Sequence, residues 1–299
     1  MKNFIDDNKK SILVSNVVKN YRDFTLDNVS FEAAKGEITA LVGANGAGKT
    51  TLISIMTDQL VADAGRILYG NYDLQKNKIE IKSDLGLVQD YNCFYEQYQV
   101  NDIRRIMKGF FKDWSDDCFF GLLDDFGLKA NVTLSSFSQG MKKKLLFAVA
   151  LSHKAQYIIL DEITSELDPL TRNDIMEILR IRADQGATVV FSTHITSDVD
   201  NYADRLLMLD RGKLVVDDTL DNIRENYLIL KFPKADVEKA KVLAKQLDSH
   251  MAKMGQNYIV LCKRKEAGAW DCNVAVPTVE DIMMLFIRGG KNKDADYFD

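Results

Sequence analysis

The eight residues Gly43-Ala44-Asn45-Gly46-Ala47-Gly48-Lys49-Thr50 form the most specific chemical pattern in the chain. Their spacing is G-x-x-x-x-G-K-T. Glycines let the backbone curl until successive N–H groups point at one anion. A helix starting at Thr50, with Thr51 in its first turn, adds the positive end of its dipole. Lys49 is placed to reach β- and γ-phosphates, and the Thr50 hydroxyl is a ligand for Mg²⁺. A second pattern lies at Asp161-Glu162, which ends the apolar run Tyr157–Leu160. A carboxylate at a strand end can be a further Mg²⁺ ligand, and the one after it can polarise an attacking water.

These residues need rigid supports, and the surrounding pattern supplies them. Glu37–Val42 reads as a buried strand running straight into the glycine loop, and the helix runs on to about Gln59. Strand, glycine loop and helix in that order are the context the motif requires. Tyr157–Leu160 and Thr188–Phe191 are continuous apolar runs, suited to parallel strands buried on both faces. Ser11–Val18, Leu26–Phe31, Gly65–Tyr69 and Leu85–Val88 are further strand candidates. Arg205–Leu209 and Lys213–Val216 form a hairpin around Arg211-Gly212. Between Asn92 and Leu151 the periodicity is helical and rich in aromatics, which predicts a separate helical lobe. A helix over Pro169–Gln185 joins two strands. After about Phe232 the character changes: Pro233 marks a break, Asp236–Met254 reads as a helix, Tyr258–Cys262 as a strand and Val279–Ile287 as a closing helix.

Composition narrows the class. The 299 residues are 46% hydrophobic and 28% charged, an ordinary globular balance. The net charge of -5 gives no basic field, which argues against nucleic acid as a partner. The cysteines, Cys93, Cys118, Cys262 and Cys272, have no C-x-x-C spacing, which argues against zinc or a disulfide framework. Met1–Lys10 is polar, which argues against a signal peptide. The apolar runs fall short of the roughly 20 residues that span a bilayer.

Over about residues 11–231 the chain resembles the nucleotide-binding subunits of ABC transporters. Phe137-Ser138-Gln139-Gly140-Met141-Lys142 resembles the family signature, Ser165-Glu166-Leu167-Asp168 its D-loop, and His194 its switch histidine. Tyr21 stands where the family has an aromatic stacked on adenine. The resemblance implies an α/β P-loop NTPase of ABC type: a mixed sheet core, an antiparallel β subdomain and a helical subdomain at about 92–151. It implies an ATPase domain over 1–231, followed by a small α+β accessory unit over 232–299 for dimerisation or regulation. It also implies ATP and Mg²⁺ as ligands, with His194 against the γ-phosphate. Ser138 and the Gly140 N–H would meet ATP held by a second subunit, so catalysis requires a homo- or heterodimer. Ser138 also has the chemistry of a helix N-cap.

The chain departs from the family pattern in places. In Leu85-Gly86-Leu87-Val88-Gln89-Asp90, anchoring on Gly86 puts Asp90 at the Q-loop position, whereas Gln89 fits with a one-residue shift. Gln139 and Met141 depart from the usual signature, Ile163 replaces a proline and Glu166 a D-loop glycine. The groups that carry chemistry remain, which predicts a competent ATPase. One ATPase unit without coiled coils or a tandem copy implies a transporter subunit at the cytoplasmic face of the membrane, bound to a separate transmembrane protein. The aromatics of Asn92–Phe126 would line a groove for that protein or form the lobe's own core. The run Met141-Lys142-Lys143-Lys144 resembles Gram-positive ABC-2 type exporters, including those for antimicrobial or toxin peptides such as phenol-soluble modulins. A soluble ABC ATPase acting on a ribosome or regulator is the alternative.

Overall fold

The computed structural model describes residues 11–89, 94–162, 167–266, 268 and 272–289. Its centre is a six-stranded sheet in the order Lys213–Thr219, Arg205–Asp210, Ile38–Val42, Thr188–Ser192, Tyr157–Asp161, Leu85–Val88. The last five run parallel, and Lys213–Thr219 closes one edge antiparallel. Ile38–Val42, Tyr157–Asp161 and Thr188–Ser192 are buried at every position, as apolar runs covered on both faces must be. Parallel strands put all their carboxyl ends on one edge, where ligands of open α/β sheets bind.

A second sheet, antiparallel, has the order Thr25–Ala33, Ile12–Asn20, Ala64–Tyr69, Tyr72–Asp73. Its inner face packs with Leu52, Ile53, Ile55 and Met56 of the helix Lys49–Met56 in one apolar cluster. The third part is helical: Val100–Phe110, Asp116–Asp125 and Gln139–Leu151. Phe119, Phe126, Phe137 and Phe147 are buried there, while Tyr95 and Phe110 are exposed. Most of the lobe's aromatics are therefore its own core.

The C-terminal sheet runs Met251–Met254, Asn257–Lys263, Tyr227–Pro233, Asn273–Ala275, all antiparallel. The helix Val237–Gln246 covers one face through Ala240, Leu243 and Ala244 against Leu230, Phe232 and Val260. The other face, with Ile229, Ile259 and Leu261, joins Val279, Ile282 and Leu285 in the main core. Two expectations change here. The helix expected over 236–254 ends at Gln246, and Met251–Met254 is a strand paired with Asn257–Lys263 across a turn at Gly255. The pairing residues lie downstream, so local periodicity carries no trace of them. The break read at Pro233 is the end of the strand Tyr227–Pro233, which is paired on both sides within this sheet. The closing helix is α-helical over Val279–Met283 and widens to a π-helix over Met284–Arg288.

Candidate functional site

The glycine loop leaves the carboxyl end of Ile38–Val42 and enters the helix Lys49–Met56. Gly46 and Gly48 have φ of 78° and 109°, a region closed to most side chains. A Cβ on Gly48 would lie 2.8 Å from the Phe24 ring, and one on Gly43 would lie 2.4 Å from the Leu209 carbonyl oxygen. The loop is thus fixed by close packing as well as by its glycines. Lys49 is buried, and its ammonium donates to the Gly43 carbonyl at 2.9 Å while lying 3.4 Å from Glu162 Oε1.

Asp161 and Glu162 end the strand two places away in the sheet. Ser192, at the end of the strand between them, donates its hydroxyl to Asp161 Oδ1 at 2.6 Å. The Ser192 Oγ in turn accepts the Glu162 N–H at 2.9 Å. Burial pushes the Asp161 carboxyl above the ordinary carboxylate range, the neighbouring Glu162 charge pushes the same way, and the Ser192 and Thr50 hydroxyls oppose them. Glu162 has φ of 49°, left-handed for a residue with a Cβ. Such conformations cost of order 1–3 kcal/mol and cluster at functional sites. The Ser192 bond to its N–H helps hold it there.

Ser192 and Phe24 carry no local sequence signal of these roles. Ser192 is the residue just before Thr193-His194, and nothing local marks it as the anchor of both carboxylates. Phe24 lies far from the loop in sequence and meets it only through the second sheet.

The other predicted residues are distributed around this centre. His194 is exposed in a bend two residues before the helix Thr196–Tyr202. Tyr21 is 48% exposed, with its ring 6.3 Å from that of Phe24, so the two form a shelf running to the loop at Gly48. Gln89 is buried and exchanges amide hydrogen bonds with Gln59, at 2.5 and 3.1 Å. Asp90 and Ser165-Glu166 lie outside the described residues. Ser138 caps the helix Gln139–Leu151 by accepting the Met141 N–H at 3.2 Å, with Gly140 in the first turn. Among the described residues no hydrogen bond or ion pair joins Ser138 or Gly140 to the glycine loop. Asp168 caps the helix Pro169–Asp184 through the Thr171 N–H, and that hydrogen bond holds its carboxyl below the usual range. The site therefore brings Lys49, Thr50, Asp161 and Glu162 together and leaves Ser138 and Gly140 on a separate surface.

Among the described residues no three His, Cys, Asp or Glu side chains gather as a metal cage. No helix there is long and apolar enough to cross a membrane.

The protein-family model described as "ABC transporter" matches residues 26–165. The chain is 31% identical over 206 residues to the linearmycin resistance ATP-binding protein LnrL of Bacillus subtilis, covering 67% of this chain and 66% of that protein. It is 32% identical over 211 residues to the retinal-specific phospholipid-transporting ATPase of Bos taurus, covering 68% of this chain and only 9% of that much longer protein. A third relative, the ABC transporter ATP-binding protein YtrB of Bacillus subtilis, is 24% identical over 269 residues, 90% of this chain and 87% of that protein. That match necessarily runs past residue 232. A solved structure of an ATP-binding subunit of an ABC transporter superposes with a TM-score of 0.67 at 26% identity, covering 71% of this chain and 91% of the other.

Proposed function

Because the chain belongs to the ATP-binding domain family of ABC transporters, we propose that it binds and hydrolyses ATP to energise export through a separate membrane subunit. The observation that carries this reading is the gathering of Lys49, Thr50, Asp161 and Glu162 at the carboxyl edge of the central strands. In it, backbone N–H groups of Gly43–Thr51 cradle the phosphates and Tyr21 stacks on the base, with Phe24 extending that shelf. Lys49 turns from its loop carbonyls to the β- and γ-phosphates. Glu162 accepts a proton from the attacking water, and His194 contacts the γ-phosphate.

The residues present fit Mg²⁺. Thr50 and Asp161 are the protein ligands, and Asp161 is a buried carboxylate whose charge a cation would stabilise. When bound, the ion neutralises charge developing between the β- and γ-phosphates. Gln89 or Asp90 is the Q-loop residue in this reading and would contact the Mg²⁺-bound water.

Ser138 and Gly140 present a second helix N-terminus, suited to the γ-phosphate of ATP on another subunit. ATP then acts as a dimerising ligand between two such chains, identical or not. The subunit sits peripherally at the cytoplasmic membrane face, and residues 232–299, whose sheet also takes in the strand Tyr227–Pro233, serve dimerisation or regulation. Drug-like or antimicrobial molecules, including toxin peptides, are the proposed substrate class. The drug-like part of this class is supported by the names of two bacterial relatives, the linearmycin resistance protein above and a probable multidrug ABC transporter ATP-binding protein of Escherichia coli, 30% identical over 230 residues, 75% of this chain and 40% of that protein.

Glu162→Gln tests the chemistry. Loss of a general base should lower kcat by about 100-fold or more while nucleotide binding persists. An unchanged rate would sink the assignment. Purification in detergent should bring down a multi-helix membrane protein, and capture of ribosomes instead would favour a soluble role.

A further inference from the structure

The helix Thr196–Tyr202 begins two residues after His194, so where this helix sits decides where the histidine projects. It is held from two directions. Toward the nucleotide-binding body, Asp198 lies 3.4 Å from Arg172, and the Tyr202 hydroxyl hydrogen-bonds Asn173. Toward the C-terminal unit, Asp200 is the anchor. Arg224 donates to its carboxylate at 3.1 Å and to its carbonyl at 3.0 Å. The Val279 N–H donates to both carboxylate oxygens, at 3.3 and 3.2 Å.

Val279 is the first residue of the C-terminal helix, where an N–H has no partner within the helix. Asp200 supplies that partner. Arg224 is itself fixed from the C-terminal unit, because Arg264 donates to the carbonyls of Arg224 and Glu225 at 3.0 and 2.8 Å. Apolar packing runs alongside: Val199 shares its cluster with Ile229, Val279, Ile282 and Leu285. A continuous set of contacts thus leads from the C-terminal unit to the helix that carries the histidine.

We propose that Asp200 is a positioning residue for His194. Through Arg224 and the Val279 N–H, the C-terminal unit sets the helix Thr196–Tyr202 and with it the histidine. The hydrolysis rate then depends on the C-terminal unit through these contacts. This rests on the reading of His194 as a γ-phosphate contact.

A double-mutant cycle in the full chain tests it. Asp200→Ala should lower kcat about five- to tenfold, with KM for ATP changed less than about twofold. Asp200→Asn, which keeps an oxygen acceptor, should recover most of the rate. Added to His194→Ala, Asp200→Ala should cost nothing further, because two groups acting through one contact are not additive. Val279→Pro deletes the N–H at a helix position where proline fits, after a Thr278 that is already extended (φ -94°, ψ 162°). It should reproduce part of the kcat loss, and it keeps the test open should Asp200→Ala fail to fold. Losses that multiply in the cycle, or a wild-type kcat for Asp200→Ala, overturn the positioning role alone. A His194→Ala protein with wild-type kcat overturns the histidine reading and the positioning role together.

Discussion

His153 is 4% exposed, and its ring stacks on Phe111 with centroids 3.9 Å apart. Its Nε2 has no hydrogen-bond partner among the described residues. Burial, aided by the Arg182 guanidinium, lowers its pKa to about 4 from 6.5. The folded state therefore holds this side chain neutral, while the unfolded chain takes up its proton near pH 6.5. Between those values the unfolded state binds more protons, so stability is complete above about pH 6.5 and falls as pH drops toward 4. The full effect is about 3 kcal/mol at 1.36 kcal/mol per unit. Urea titrations across that window should show the decline, and His153→Phe should flatten it. A wild-type profile that stays level from pH 7 to 4.5 would mean the histidine is not held neutral. The same distinction between local and distant causes explains what could be read at this scale. Gly43–Thr50 and Asp161-Glu162 announce themselves because their chemistry and their spacing are local. Ser192 and Phe24 do not, since a serine at a strand end and a phenylalanine before a strand become important only once other strands bring the carboxylates and Gly48 against them.

The helix Gln139–Leu151 tests how one side chain can serve an element and a site together. Ser138 satisfies the Met141 N–H, a structural task that asparagine performs as well. Contact with a phosphate across a dimer seam asks for the hydroxyl itself. Ser138→Ala should thus cost about 1 kcal/mol of stability through loss of the cap. Ser138→Asn should restore the stability. Both should lower ATPase turnover by about tenfold or more if the hydroxyl stabilises transferred phosphate charge. Thermal melts alongside turnover separate the roles, and an Asn variant with full activity would reduce Ser138 to a cap. Elements differ in how openly they declare themselves. Tyr157–Asp161 and Thr188–Ser192 are legible because burial on both faces demands an unbroken apolar run. Met251–Met254 is not, because its residues also satisfy a helical period and become a strand only through pairing with Asn257–Lys263. Tyr227–Pro233 follows the helix Leu220–Asn226 without a turn residue between them, so the start of its sheet leaves no mark in composition.

At the scale of the whole molecule, the question is whether the C-terminal unit is an appendage or part of the fold. Its sheet turns one face to its own helix Val237–Gln246 and the other to the closing helix Val279–Arg288, which carries it into the main core beside the helix Thr196–Tyr202. On the second face Ile229, Ile259, Val279, Ile282 and Leu285 are all buried within the main core. Each such side chain contributes about 1.5–3 kcal/mol when withdrawn from water. Removing them uncovers their partners as well, including Val199 and Ile223. Total stabilities are only about 5–15 kcal/mol, so the loss is a large share of the whole. A chain ending at Asn226 should melt at least about 10 °C below the full chain, by the usual relation between lost free energy and Tm. Ending the chain at Lys231, close to the break suggested by Pro233, should be worse. That cut keeps most of Tyr227–Pro233 but removes the strands that pair with it on both sides, leaving unpaired backbone groups beside exposed Leu228, Ile229 and Leu230. Scanning calorimetry and size exclusion of the two truncations decide the matter. Wild-type melting of the Asn226 product would make the unit a detachable accessory, whereas the packing described here requires it to fall, with the Lys231 product the more prone to aggregate.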